Sequence, residues 1–278
     1  MTIRVVTDSS CDLPRAVLQE NGIATIPLTI HAGSREYRDG IDMPRREFYE
    51  QLPSFDPAPT TAAPGPEAFW QVYEQLAAEG ATEVLSIHIS SKLSAIVDIA
   101  RKAAVETTAV PVTVFDSRQL SLGTGFQVLT AAQAAAKDAS MSGILQLLEE
   151  LIARIHVFAA LDTLEFLRRS GRMSRAVSAL GSLLRIKPLL KMHDGESTAE
   201  RVRTRRGAMH RLTELLKEFS PYEQVALLHS NAADRARALL QQVRDIIPAA
   251  EVWMEEINPV LGVHIGPGVI GFACISKE

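Results

Sequence analysis

TEVLSIHISSKLSAIVDIARKAA, residues 82 to 104, changes its period halfway along. From Val84 to Ile89 it is apolar and rich in β-branched types, broken only by Ser86 and His88, as a buried strand is. From Leu93 the apolar residues fall at Ile96, Val97, Ala100 and Ala104, which is one face of a helix. Ser90, Ser91 and Ser94 occupy the junction. A serine there caps the helix, and the free N–H groups of the first turn attract an anion. In open α/β sheets, ligands bind beyond the carboxyl ends of the strands, where this junction would lie. A capping serine and nothing more accounts for the segment equally well.

On either side the same unit recurs. Val112 to Phe115 reads as a strand ending in Asp116-Ser117-Arg118, and Ser121 to Lys137 and Ser142 to Ile155 read as helices. Upstream, Ile3 to Val6 is a strand that runs into Thr7-Asp8-Ser9-Ser10-Cys11-Asp12-Leu13-Pro14. Asp8 ends that strand and shares a rim with Ser91 if the two strands are parallel neighbours. An Asx turn is the plainer role for it. Ile23 to Ile30 is expected as a second strand, Gly33 to Asp39 as a hairpin and Pro44 to Leu52 as a helix. The proline-rich stretch from Pro53 to Pro66 passes for a surface linker, though a stiff loop would also hold Thr60 and Thr61 still. Helix resumes over Pro64 to Glu79. Strand followed by helix, repeated, implies a mostly parallel sheet covered on both faces.

The second half has another character. Val157 to Leu161 is a strand, Gly171 fits a helix stop, and Ser174 fits the cap of a helix from Arg175 to Leu183. Ile186 to Met192 and Ser197 to Thr204 form a hairpin about Asp194-Gly195. Arg205 to Phe219 and Ala232 to Ile247 are helices, and Val225 to His229, Glu251 to Glu255 and Gly268 to Ile275 are strands. The fold class is therefore α/β: an N-terminal parallel-sheet domain over 1–155 and a C-terminal α/β domain with a partly antiparallel sheet over 156–278. Two arginine clusters stand out, Arg168, Arg169, Arg172 and Arg175, then Arg201, Arg203, Arg205 and Arg206. Their forks suit phosphate or carboxylate, but a solvated face is the commoner role for a charge run. His264 alone among the seven histidines sits in a frame of glycine and proline, Asn258 to Gly268, too constrained for mere packing.

A net charge of −4 gives no reason to expect nucleic acid. No apolar run approaches the roughly 18–20 residues that span a bilayer. The chain enters its first strand without the regions of a signal peptide, and Cys11 and Cys274 form neither metal spacing nor a disulfide framework. The cytoplasm is the expected compartment.

Thr7-Asp8-Ser9-Ser10 with Asp12-Leu13-Pro14, Ser90 to Ser94, Asp116-Ser117-Arg118, Arg168 to Ser174 and His264-Ile265-Gly266-Pro267-Gly268 occur together in one order. In that order the sequence resembles the DegV family over almost its whole length. The resemblance implies two α/β domains with a long-chain fatty acid buried between them, no cofactor, and membrane contact at most transient. It implies a binding subunit of a bacterial fatty-acid kinase, whose separate ATP-using subunit phosphorylates the bound carboxyl group. Carried over, the carboxylate-binding residues fall on Thr61, Ser91 and His264, with Arg203 after the hairpin. Asp8, Ser9, Ser90, Ser94 and Gly266 form the rim, and Arg172 with Arg169 is where the kinase is expected to dock. The chain departs from the family pattern at Ala62-Ala63, where Ser-Gln is common, and at Ala95-Ile96, where Gly-Thr is common. A GxxxxGK[ST] loop is absent, which puts ATP on the partner. Two rivals stay open: a serine hydrolase using Ser91, His264 and Asp8, although no Gly-x-Ser-x-Gly elbow is present, and a lipid carrier or sensor without a kinase.

Overall fold

The computed structural model of the chain describes residues 2–173, 186–247 and 252–277. Strand β1 (Ile3–Asp8) leads into a single 3-10 turn over Ser9–Cys11 and a short helix, α1 (Arg15–Glu20). The one strand expected over Ile23 to Ile30 is two, β2 (Ala24–Ile26) and β3 (Thr29–Ala32), which belong to different sheets. Pro27 has no N–H to give a ladder, so the chain leaves one sheet there and begins the other. β3 pairs antiparallel with β4 (Arg35–Arg38) and with β5 (Thr60–Ala62). The proline-rich stretch is thus no linker: it holds a strand in which Thr61 lies opposite Ile30. Helix α2 (Arg45–Gln51) precedes it, and α3 (Pro66–Ala78) follows with Pro66 in its first turn, where a missing N–H costs nothing.

β6 (Glu83–His88), α4 (Ile96–Glu106) and β7 (Val112–Asp116) complete a four-stranded parallel sheet in the order β2-β1-β6-β7. Phe69 and Tyr73 of α3 and Ile96 and Ala100 of α4 share a core with Val6 and Val84. The opposite face is covered by α5 (Leu122–Ala135) and α6 (Met141–Ile152), whose Phe126, Ile144 and Leu148 lie in one core with Val5, Leu85 and Ile87. Burial on both faces is why β6 reads as a run and not an alternation. α4 starts three residues later than Leu93. The intervening turn uses Ser90, whose carbonyl accepts from the N–H groups of Leu93 at 2.9 Å and Ser94 at 3.1 Å. Ala95 precedes the helix and has no side chain to cap it, so the serine cap is not formed.

β8 (Ile155–Ala160) opens a six-stranded sheet in the order β10-β9-β8-β13-β11-β12. β9 (Lys187–His193) and β10 (Glu196–Val202) are the expected hairpin, with Asp194 at φ 45° and Gly195 at φ 74°, the turn that this dipeptide favours. β11 (Tyr222–His229) and β12 (Trp253–Glu256) pair in parallel, and β13 (Ile270–Ser276) runs antiparallel between β8 and β11. The remaining helices are α7 (Glu165–Arg169), α8 (Arg205–Glu218), α9 (Ala233–Gln242) and α10 (Pro259–Ile265). The helix expected over Arg175 to Leu183, with its cap at Ser174, lies outside the described residues.

The four-stranded and six-stranded sheets share apolar packing. Phe126 of α5 sits in one core with Ile155 and Val157 of β8 and with Ala273 and Ile275 of β13. On the other side, Val260 and Val263 of α10 join Phe48 and Tyr49 of α2. Gly262 permits that approach, since a Cβ there would stand 2.6 Å from the Tyr49 hydroxyl.

Candidate functional site

Residues of β5, of α4 and the turn before it, of the six-stranded sheet and of α10 enclose a cavity of about 200 Å³, far above the ~10–15 Å³ that seats one water. Its walls are apolar, with Leu28, Ile89 and Ile96 from the first half, Val157, Leu190 and Leu228 from the second, and Leu261 and Ile265 from α10. Few polar side chains reach it. Ser10 and Ser121 line it, but both are buried and their hydroxyls already serve Asp8 and Asp12. Lys191 gives its ammonium to Glu200 at 2.7 Å. Thr61, Ser94, Ser197, Arg172 and His264 are left, with one guanidinium N–H of Arg172 already given to the Ser170 carbonyl at 2.8 Å.

Thr61 is held by the β3–β5 pairing and His264 by the last turn of α10, 203 residues away in sequence. Thr61 Oγ1 and His264 Nε2 are 3.0 Å apart. Burial and the positive charge of Arg172 push the His264 imidazole down to about 4, so it is neutral near pH 7. A neutral imidazole and a hydroxyl carry one transferable proton each, and their mutual bond uses one. Whichever tautomer forms, one donor remains for a ligand. Nδ1 of His264 is buried without a partner among the described residues, and such an atom calls for one. Neutral donors beside a guanidinium suit a carboxylate.

Arg172, expected on a docking surface, is exposed and also lines this cavity. Gly171 at φ 69° ends α7, and the Arg172 N–H returns to the Leu167 carbonyl at 3.1 Å. That closure folds the chain back over the helix end. Arg169 does stay exposed, but Glu165, four residues before it, takes its Nε at 2.7 Å and also binds Arg168. Arg203 is exposed beyond the end of β10 and is not part of the lining.

Ser91 is placed away from the cavity. Its hydroxyl and its N–H both bond the Asp116 carboxylate, on an exposed edge. With helix α4 starting late, it is Ser94, three residues on, that turns inward. Ser90 is buried and accepts from the Lys92 N–H, and Ser9 accepts from the Leu28 N–H at 3.2 Å. Gly266 stands at φ 75° against the Phe166 ring, which a Cβ would strike at 2.2 Å. Asp8 is fully buried and bonds Nδ1 of His88 at 2.9 Å, not His264. Burial alone would raise its carboxyl, but the bond and charge of His88 together with the two bonds from Ser10 outweigh that and hold it below the usual range. His88 continues to Ser86 at 2.7 Å and Ser86 to Tyr73 at 2.8 Å, all within the core. Asp8, His264 and Ser91 therefore have three different partners, and the hydrolase triad is not assembled. Sequence reasoning placed Ser94 on the rim and did not bring Arg172 to the lining, where both side chains lie. The arginine's position depends on one turn at Gly171, and no periodicity reports it.

The family model of DegV, described as uncharacterised proteins, matches residues 2–277. A DegV domain-containing protein of Streptomyces coelicolor is 35% identical, covering 99% of each chain. Among solved structures, a DegV family protein from Thermus thermophilus, described by its fatty acid binding, superposes with a TM-score of 0.91 at 35% identity over 100% of both chains. DegV of Bacillus subtilis, described as a fatty acid binding protein, gives 0.91 at 31% identity over 100% of both chains. Among the described residues, no helix is long and apolar enough to cross a membrane.

Proposed function

The chain belongs to the DegV family, and from that membership we propose that its cavity holds a long-chain fatty acid. The carboxylate lies at Thr61, His264, Arg172 and Ser94, and the acyl chain runs along the apolar walls. One observation carries this: an apolar cavity whose remaining polar groups, among the described residues, are the hydroxyls of Thr61, Ser94 and Ser197, a neutral histidine with a spare proton and the guanidinium of Arg172. An alkyl chain gains about 0.8 kcal/mol per buried CH₂, and the head group needs hydrogen bonds once it leaves water. The descriptions of the two solved relatives as fatty acid binding support the same ligand.

In this reading the chain divides near Ile155 into two α/β units, the protein works in the cytoplasm, and it presents the carboxylate to a separate ATP-dependent kinase subunit for acyl-phosphate formation. The kinase step rests on the family resemblance. Mass spectrometry of an organic extract of the purified protein tests the ligand, with about one fatty acid per chain expected, since an empty apolar cavity forfeits its contacts. No acyl chain in the extract, together with no thermal shift on adding fatty acids, would refute it. Lipid that is held but never phosphorylated by a co-purified ATP-using partner would turn the reading to a carrier.

A further inference from the structure

We propose that Asp12, which lies outside the cavity lining, is the positioning residue that sets His264 against the ligand carboxylate; this rests on the fatty-acid reading above. Asp12 follows the Ser9–Cys11 turn at φ 57° and is buried. Its Oδ1 accepts from the backbone N–H of Asn258 at 2.8 Å and from Asn258 Nδ2 at 2.9 Å. Its Oδ2 accepts from the Ser121 hydroxyl at 2.6 Å, and Arg45 stands 3.6 Å away. Asn258 is the cap of α10, its Oδ1 taking the Leu261 N–H at 2.9 Å. One carboxylate thus fixes both the backbone and the side chain from which α10 starts.

Two more side chains of the first half hold the same place. The Tyr49 hydroxyl donates to the Ile257 carbonyl at 2.9 Å, and Arg45 donates to the Glu256 carbonyl. From Asn258 the helix runs six residues to His264, about 9 Å at the α-helical rise. The far end is held by the Ser230 hydroxyl, which donates to the Gly266 carbonyl at 2.8 Å, and among the described residues its polar link to the first half is the Thr61 contact, the bond a ligand carboxylate would compete for. With its far end fixed at Gly266, the helix takes its direction from where Asp12 fixes its start. A buried carboxylate is a poor means of gaining stability, because desolvation offsets its bonds, but three directed bonds define an orientation well.

The test compares binding of palmitic acid with that of its uncharged methyl ester. The wild-type protein prefers the acid, and Asp12→Ala lowers that preference about tenfold, the scale of one lost bond to a charged group, while ester affinity holds. Asp12→Asn keeps an oxygen for Asn258 and restores most of the preference. In a His264→Ala background, Asp12→Ala lowers the preference no further. Acid and ester affinities falling together, or an unchanged preference in Asp12→Ala, would overturn the positioning role while leaving the fatty-acid reading standing. A wild-type protein that binds neither probe would overturn both. If Asp12→Ala does not fold, Asn258→Ala carries the same comparison, with the same loss of acid preference expected.

Discussion

At the scale of single residues, the proton count at Thr61 and His264 makes the site testable atom by atom. Thr61→Val and His264→Ala each remove one proton and one acceptor from the pair, and each is expected to weaken fatty-acid binding by about 1–3 kcal/mol in calorimetry. Ser91→Ala leaves that affinity unchanged, because the Ser91 hydroxyl is spent on Asp116. Asp39 sets a pH dependence. It is 4% exposed, and burial pushes its carboxyl up to about 7, although Ser9 and Arg45 pull it down. In the unfolded chain it titrates near the ordinary 3.8. Between those values the folded state holds the proton and the unfolded state does not, so stability falls as pH rises from about 4 to about 7 and is level above. Asp39→Asn removes the titration. Its melting temperature is expected to exceed that of the wild type by several degrees at pH 8, for a difference of about 4 kcal/mol at most, and the gap should close toward pH 4. A gap independent of pH would assign the raised carboxyl elsewhere.

At the scale of elements, what the sequence made legible is what its local chemistry controls. The run from Val84 supplied β6 (Glu83–His88) because a strand buried on both faces favours apolar, β-branched residues, and Asp194-Gly195 formed its turn because both residues tolerate positive φ. β5 was not legible, since Thr60–Ala62 is a strand only through its pairing with β3, which no residue within it announces. The same holds for Ser94 over Ser91, decided by a carbonyl of Ser90 that delays a helix, and for Arg172, decided by the closure at Gly171. α10 lies between these cases. The sequence shows a constrained frame from Asn258 to Gly268 but not the helix within it, which rests on the Asn258 cap and on packing against α2. Gly262→Ala would bring a Cβ within 2.6 Å of the Tyr49 hydroxyl and 2.8 Å of its ring. The expected cost is about 1–3 kcal/mol of stability in denaturant unfolding. Because the hydroxyl is the nearest atom, Tyr49→Phe in the same chain should recover part of it. A neutral Gly262→Ala would show that α10 shifts freely.

For the whole molecule, the cavity is lined from both halves of the chain, so its ligand and its stability are linked. A ligand bound only by the folded chain adds about 2.7 kcal/mol at a hundred times its dissociation constant, and delipidated protein should melt correspondingly lower than the extractable complex. The charge of Arg172 belongs to the same linkage. A docking arginine, standing off the cavity, could be reversed without loss of lipid. An arginine on the lining, close enough to hold down the His264 imidazole, cannot. Because Arg172 is also exposed, water screens part of its attraction, and Arg172→Gln should weaken fatty-acid binding by only about 1 kcal/mol. Arg172→Glu places an anion beside the carboxylate and should weaken it further, while methyl-ester binding changes little. Arg169→Glu serves as the control, since Arg169 faces solvent and is paired with Glu165. Lipid content and affinity, measured on the three variants side by side, decide the matter. If Arg172→Glu keeps its fatty acid while acyl-phosphate formation by the kinase fails, Arg172 is a docking residue that merely passes the cavity. If the fatty acid is lost with Arg172→Glu and retained with Arg169→Glu, the positive charge belongs to the ligand.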